Sequence, residues 1–100
     1  MKQEVFNKYV EKVSKLFSVS KEEFFSKTKK REIVDARQMV YYLCSRRHIN
    51  ISYIQKYMKE NNYEIHHPSI IKGIQRIEEK TKEDMDYVTV IKNIENSVFI

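Results

Sequence analysis

Glycine and proline occur once each in this 100-residue chain, as Gly73 and Pro68. Tight β-hairpins lean on glycine-bearing turns, and interdomain linkers on runs of glycine or proline. A chain with almost none of either is directed toward helices joined by short polar connections. The expected fold class is all-α, a compact bundle of about five to six helices. One hundred residues is also the length of one domain, so residues 1–100 are expected to form a single unit. Hydrophobic residues make up 41% of the chain, which suffices for one modest core.

The apolar residues repeat at helical steps. Val5, Phe6, Tyr9, Val10, Val13, Leu16 and Phe17 recur at intervals of three and four, one face of a first helix. Ser20 and Glu23 stand in capping-box spacing before a short helix carrying Phe24 and Phe25. Lys27-Thr28-Lys29-Lys30-Arg31 then reads as a basic loop. Ile33, Ala36, Val40 and Leu43 mark one stripe of a third helix, with Met39 and Cys44 beside it. Its expected end is Arg46-Arg47-His48, where positive charge suits the helix dipole. Ser52 and Gln55 suggest a further capping box, opening a helix that includes Ile54, Tyr57 and Met58. Asn61-Asn62-Tyr63-Glu64 reads as a turn. Pro68 fits the first turn of the next helix, where its missing N–H has no partner to lose. That helix is expected to bury Ile70, Ile71, Ile74 and Ile77. Thr81 and Asp84 suggest one more cap before a last helix using Val88, Ile91 and Val98.

The formal net charge is +5, and the excess lies before Thr81. Beyond it, Glu83, Asp84, Asp86 and Glu95 outnumber Lys82 and Lys92. A basic body attracts polyanions such as nucleic acid or an acidic membrane surface. No stretch has the apolar core of a signal peptide, and none approaches the ~20 apolar residues of a membrane span. The expected location is cytoplasmic and nucleoid-associated, without membrane contact. Cys44, the lone cysteine, falls in an apolar stripe and is expected to be an inert core residue.

Two short helices, Ser52 to about Glu60 and Pro68 to about Lys80, flank a polar turn at helix-turn-helix spacing. In that motif the second helix enters the major groove and its N-terminal residues meet base edges. His66, His67 and Ser69 occupy that end. Lys72, Gln75 and Arg76 lie away from the isoleucine stripe, toward groove walls or backbone. Lys27, Lys29, Lys30 and Arg31 set four cations close together, able to neutralise phosphates or enter an adjacent minor groove. A plain helical hairpin with a solvated charged loop explains the same pattern.

Enzymatic readings find little. Adjacent histidines point in different directions on a helix, and neither Cys-x-x-Cys nor His-Glu-x-x-His accompanies His66-His67. Glycine-rich phosphate loops and nucleophile elbows are missing. The tyrosines are more simply explained by amphipathic packing than by nucleophilic chemistry. A non-enzyme is expected, with no cofactor, metal or small-molecule substrate.

In order along the chain, four segments resemble the C-terminal DNA-binding domain of the bacterial replication initiator DnaA, a Trp-repressor-like helix-turn-helix. They are residues 13–27, Val34-Asp35-Ala36-Arg37-Gln38-Met39-Val40-Tyr41-Tyr42-Leu43, Asn50-Ile51-Ser52-Tyr53-Ile54-Gln55, and His67-Pro68-Ser69-Ile70-Ile71-Lys72-Gly73-Ile74. The likeness covers Val5 to Val98 and implies double-stranded DNA as the partner. By position, Lys29 or Arg31 takes the role of the family's minor-groove arginine. Arg37 and Gln38 match residues that hold the phosphate backbone, and Ser52 lies in the matched entry to the motif. His67 matches a base-contacting histidine, Pro68 and Ser69 its paired threonines, and Arg76 a backbone-contacting cation. Lys27, Lys30, His66 and Lys72 complete the expected DNA-binding set.

The likeness has departures. Ile65-His66-His67-Pro68-Ser69 stands where the family carries Arg-Asp-His-Thr-Thr, the turn is longer, and its usual glycines are absent. Since base contacts specify and phosphate contacts position, duplex binding is expected to persist with a target other than the usual DnaA box. These residues carry no ATPase module, so the chain is not expected to be a self-sufficient initiator. A stand-alone relative, a phage or mobile-element protein, and an excised domain remain open. The rival reading is a protein-interaction module that kept the fold, with Tyr53, Tyr57, Tyr63 and Ile65 as an exposed apolar patch.

Overall fold

A computed structural model describes residues 1–98 and contains six α-helices and no strand among them. These are α1 (Lys2–Leu16), α2 (Lys21–Phe24), α3 (Arg31–Arg46), α4 (Ile51–Glu60), α5 (His67–Glu83) and α6 (Met85–Asn96). Helix α3 is the spine. Ile33, Ala36, Met39, Val40, Leu43 and Cys44 are all buried along it. Against them pack Val5, Phe6, Tyr9, Val10 and Val13 of α1, and Ile70 and Ile77 of α5. The radius of gyration, 12.3 Å, is near the ~13 Å of a compact 100-residue domain.

Local chemistry sets the helix starts. Ser20 forms a full capping box: Glu23 N–H donates to Ser20 Oγ and Ser20 N–H to Glu23 Oε1, each at 3.0 Å. The bonds with Ser20 hold the Glu23 carboxyl below its ordinary range. The cap of α4 is Asn50 and not Ser52. Asn50 Oδ1 accepts from Tyr53 N–H, so the helix begins one residue before Ser52. Asp84 caps α6 by accepting from Asp86 N–H at 2.9 Å. Thr81 instead lies inside α5 and bonds back to Glu78 O. Pro68 sits in the first turn of α5, as its missing N–H dictates.

Three helices end on the same motif without a glycine. Ser18, His48 and Asn62 have φ of 55°, 61° and 63°, the left-handed region. Each is followed by a residue whose N–H reaches back five positions: Val19 to Ser14 O, Ile49 to Cys44 O and Tyr63 to Met58 O. The residues themselves reach back three, to Lys15 O, Ser45 O and Lys59 O. These are Schellman closures. Val19 and Ile49 turn into the core after them, the apolar contact that accompanies the motif. Asn62 thus supplies the sharp turn between α4 and α5.

The one glycine serves close packing and not a turn. A Cβ on Gly73 would lie 3.0 Å from Gln38 Cγ and 3.2 Å from Tyr41 Cδ2. Its absence lets α5 settle onto α3. Asp35 Oδ1 adds ion pairs across the seam to Arg76 at 3.6 Å and Lys80 at 3.9 Å. At the far end Arg46 grips Glu95 of α6 with two bonds, Nε to Oε2 at 2.7 Å and Nη2 to Oε1 at 3.2 Å. Cys44 is fully buried, and desolvation pushes its thiol up to about 12. No helix among the described residues is long and apolar enough to cross a membrane.

Candidate nucleic-acid interface

Helices α4 and α5, with the turn over residues 61–66, make the helix-turn-helix. The seating of α5 on α3 fixes which residues it shows to solvent. Ile70, Gly73 and Ile77 face inward. His67, Pro68, Ser69, Ile71, Lys72 and Gln75 are exposed. The isoleucine stripe places Ile71 in the core, yet it is 40% exposed. A stripe at 70, 73–74 and 77 leaves position 71 about 100° away, so the inward set cannot hold all four isoleucines. His67, Ile71 and Gln75, four residues apart, therefore form one outward row.

The start of α5 is electrostatically open. Its N-cap, His66, makes no side-chain capping bond, and its first turn has no acidic residue. Pro68 has no N–H, and Ser69 and Ile70 N–H both donate to His66 O, so it is the positive dipole end that suits an anion such as phosphate. One bond pair steadies this end from α4. Gln55 Nε2 donates to Ile65 O at 2.8 Å, and Gln55 Oε1 lies 3.0 Å from His67 Nε2. The residue that reads as a capping partner for Ser52 thus reaches across the motif. Ser52, Lys56 and Lys59 line a cleft with His66 on the same side. Neither lysine belongs to the set that motif and family likeness single out. Their spacing from Ser52, four and seven residues on one helix face, is the signal that marks them.

The basic loop is held beside α5 by Arg37. The family likeness assigns this residue to the phosphate backbone, but it is only 4% exposed. Its Nε donates to Phe24 O at 2.7 Å, Nη1 to Thr28 O at 3.1 Å and Nη2 to Ser26 O. The guanidinium also lies over the Tyr63 ring, 4.7 Å from its centroid. The last carbonyl of α2, two loop carbonyls, α3 and the motif's turn are thereby tied at one point. Gln38, the other expected phosphate ligand, lies in the α3–α5 seam against Gly73 with Oε1 buried. Both side chains also line the groove that Lys27 and Lys29 border. Arg76 is drawn toward Asp35, though its side chain remains partly exposed.

The loop's own cations are displayed. Lys27, Lys29, Lys30 and Arg31 are all exposed. Lys27 and Lys29 line one groove, about 530 Å³, with Tyr63, Ile65 and Ser69. The loop and the head of α5 therefore share a face. Lys30 and Arg31 stand at the start of α3, whose N-cap makes no side-chain bond. Glu32 in the first turn of α3 supplies a negative charge at this positive helix end. Glu78, Glu79, Glu83, Asp84 and Asp86 lie toward the opposite end of α5 and the start of α6. At the motif, Glu64 is the carboxylate that lines both grooves beside these cations.

The sequence profile of the bacterial DnaA protein helix-turn-helix family matches residues 7–77, from α1 through the inward face of α5. The chain belongs to this family. No curated protein and no solved structure matches it. Membership in the DnaA helix-turn-helix family makes DNA binding the general activity, and the matched span contains the basic loop, the motif and Arg37. Of the apolar patch expected of an interaction module, Tyr53 is exposed and stacks on Tyr57. Tyr57 is buried against Phe6, Tyr63 is covered by Arg37, and Ile65 is half-buried.

Proposed function

We propose that the chain acts as one sequence-dependent reader of double-stranded DNA in the cytoplasm, associated with the nucleoid, in replication or transcription control. The N-terminal half of α5 enters the major groove, and the loop of Lys27, Lys29, Lys30 and Arg31 addresses the flanking minor groove. His67, Ser69 and Gln75 meet base edges, and Ile71 touches a thymine methyl. Lys56, Lys59, Lys72, Arg76, Ser52, His66 and the open start of α5 meet phosphates. The observation that carries this reading is the shared face: an uncapped, acid-free helix start beside Lys27 and Lys29, on a loop that Arg37 holds in place. The outward row of α5 differs from the family's usual reading head, so its preferred sequence is its own.

The test is anisotropy against a random duplex pool, titrated with salt, followed by selection of bound sequences. A steep salt slope with an enriched motif is the expected result. Replacing Lys29 and Arg31 by alanine should shallow the slope by roughly 0.9 for each phosphate left without its cation. Replacing His67 by alanine should flatten the preference at one position while leaving the slope. No binding at low salt, or binding without any enriched motif, would overturn the proposal.

A further inference from the structure

Gln55 does more than tie two helices together. A primary amide has one donating end and one accepting end. The Ile65 carbonyl can only accept, so it takes Gln55 Nε2, at 2.8 Å. That leaves Oε1 for His67, 3.0 Å from its Nε2. An amide oxygen offers lone pairs alone, so the hydrogen between them must be carried by His67 Nε2. A neutral imidazole holds one hydrogen, and its other nitrogen then presents a lone pair. The two ring nitrogens point in diverging directions, so Nδ1 faces away from α4.

We propose that Gln55 locks His67 in its Nε2–H tautomer and thereby makes Nδ1 a hydrogen-bond acceptor at the head of α5, which selects an exocyclic amino donor, adenine N6 or cytosine N4, in the major groove. Guanine and thymine present acceptors there, and an acceptor facing an acceptor is repelled. The chain of consequence runs from a backbone carbonyl in the turn, through one amide, to the base. Gln55 is a positioning residue, since it touches no base itself. The inference rests on the proposal that α5 reads the major groove.

Two measurements test it. The first is long-range nitrogen–hydrogen correlation NMR of the full chain in mildly alkaline buffer, which reads the tautomer directly. The wild type should show His67 Nε2 protonated and Nδ1 bare. Gln55→Leu should relax this toward a mixture. Gln55→Glu should retain it, because a carboxylate also accepts from Nε2–H. A role in stability alone would shift melting in both variants and leave the tautomer unmoved. The reverse tautomer in the wild type would overturn the proposal.

The second uses the selected duplex, at the position whose preference is lost in His67→Ala. Replacing adenine or cytosine there with an analogue lacking the amino group should weaken wild-type binding by about three- to tenfold. The same analogue should leave His67→Ala and Gln55→Leu nearly unaffected. If 7-deazaguanine at that pair has the effect instead, His67 donates and the inference fails while duplex reading stands. If no duplex is bound at all, the proposed function fails with it. The tautomer measurement then still decides whether Gln55 sets the ring.

Discussion

Replacing Arg37 with lysine keeps the charge and removes the fork, which separates a residue that shapes the loop from one that grips phosphate. Arginine can aim three N–H groups at three carbonyls on residues 24, 26 and 28, while a lysine ammonium is a compact point charge. The bond to Phe24 O is buried, so losing its donor strands a carbonyl at a cost of about 1–3 kcal/mol. The bonds to Ser26 and Thr28 are partly buried, and water replaces them at about 0.5–1 kcal/mol each. The stacking on Tyr63 weakens as well. Arg37→Lys should therefore destabilise the fold by about 2–5 kcal/mol, a large share of the ~5–15 kcal/mol typical of a domain. At about 4–8 °C per kcal/mol for a chain of this size, the melting temperature should fall by about 8–40 °C. The assay is urea and thermal unfolding by circular dichroism, paired with anisotropy on the random duplex pool. The freed loop should also bind duplex less tightly and with a shallower salt slope. The reasoning would be refuted by a variant that melts within about 0.5 kcal/mol of wild type yet loses DNA affinity, since that is how a phosphate ligand behaves.

Other substitutions probe the seams of the fold. Ser18→Gly and His48→Gly relieve side chains held at positive φ, and each should raise stability by up to about 1 kcal/mol in urea unfolding; Asn62→Gly should gain less, because asparagine tolerates this conformation. Gly73→Ala gains about 1 kcal/mol of helix propensity but forces a Cβ to 3.0 Å from Gln38 Cγ, and overpacking of about 1–3 kcal/mol should outweigh that gain, with backbone amide shifts concentrated in α3 and α5. Cys44 should resist thiol reagents in the native protein and react only on unfolding, since burial keeps it protonated. The raised thiol also sets a sign: between the unfolded value of about 9.0 and the folded value of about 12 the native state binds the extra proton, so stability should fall as pH rises through that window, and Cys44→Val should lessen the slope. The raised Tyr9 and Tyr57 hydroxyls, both desolvated, push alkaline stability the same way.

The sequence by itself determined the helices. Scarcity of glycine and proline, apolar residues at three- and four-residue steps, and caps such as Ser20 and Asp84 act within one turn of chain, so their consequences are written where they stand. The spacing of α4 and α5 and the cluster of four loop cations were legible for the same reason. What the tertiary structure decided is the direction of long or ambiguous side chains. Arg37 follows the same local pattern whether it faces a duplex or the core; it turns inward because α2 and the loop, nine to thirteen positions back, present three carbonyls that need donors. Ile71 stays outside because Gly73 lets α5 seat on one side only. Gln55 reads as a cap partner in sequence, yet finds Ile65 and His67, ten and twelve residues away. Asn50 displaces Ser52 as the cap once the Schellman closure after α3 sets the chain's entry into α4. Periodicity and capping are settled between near neighbours, whereas the partner of a polar side chain is settled by whichever distant element brings an unpaired donor or acceptor within reach.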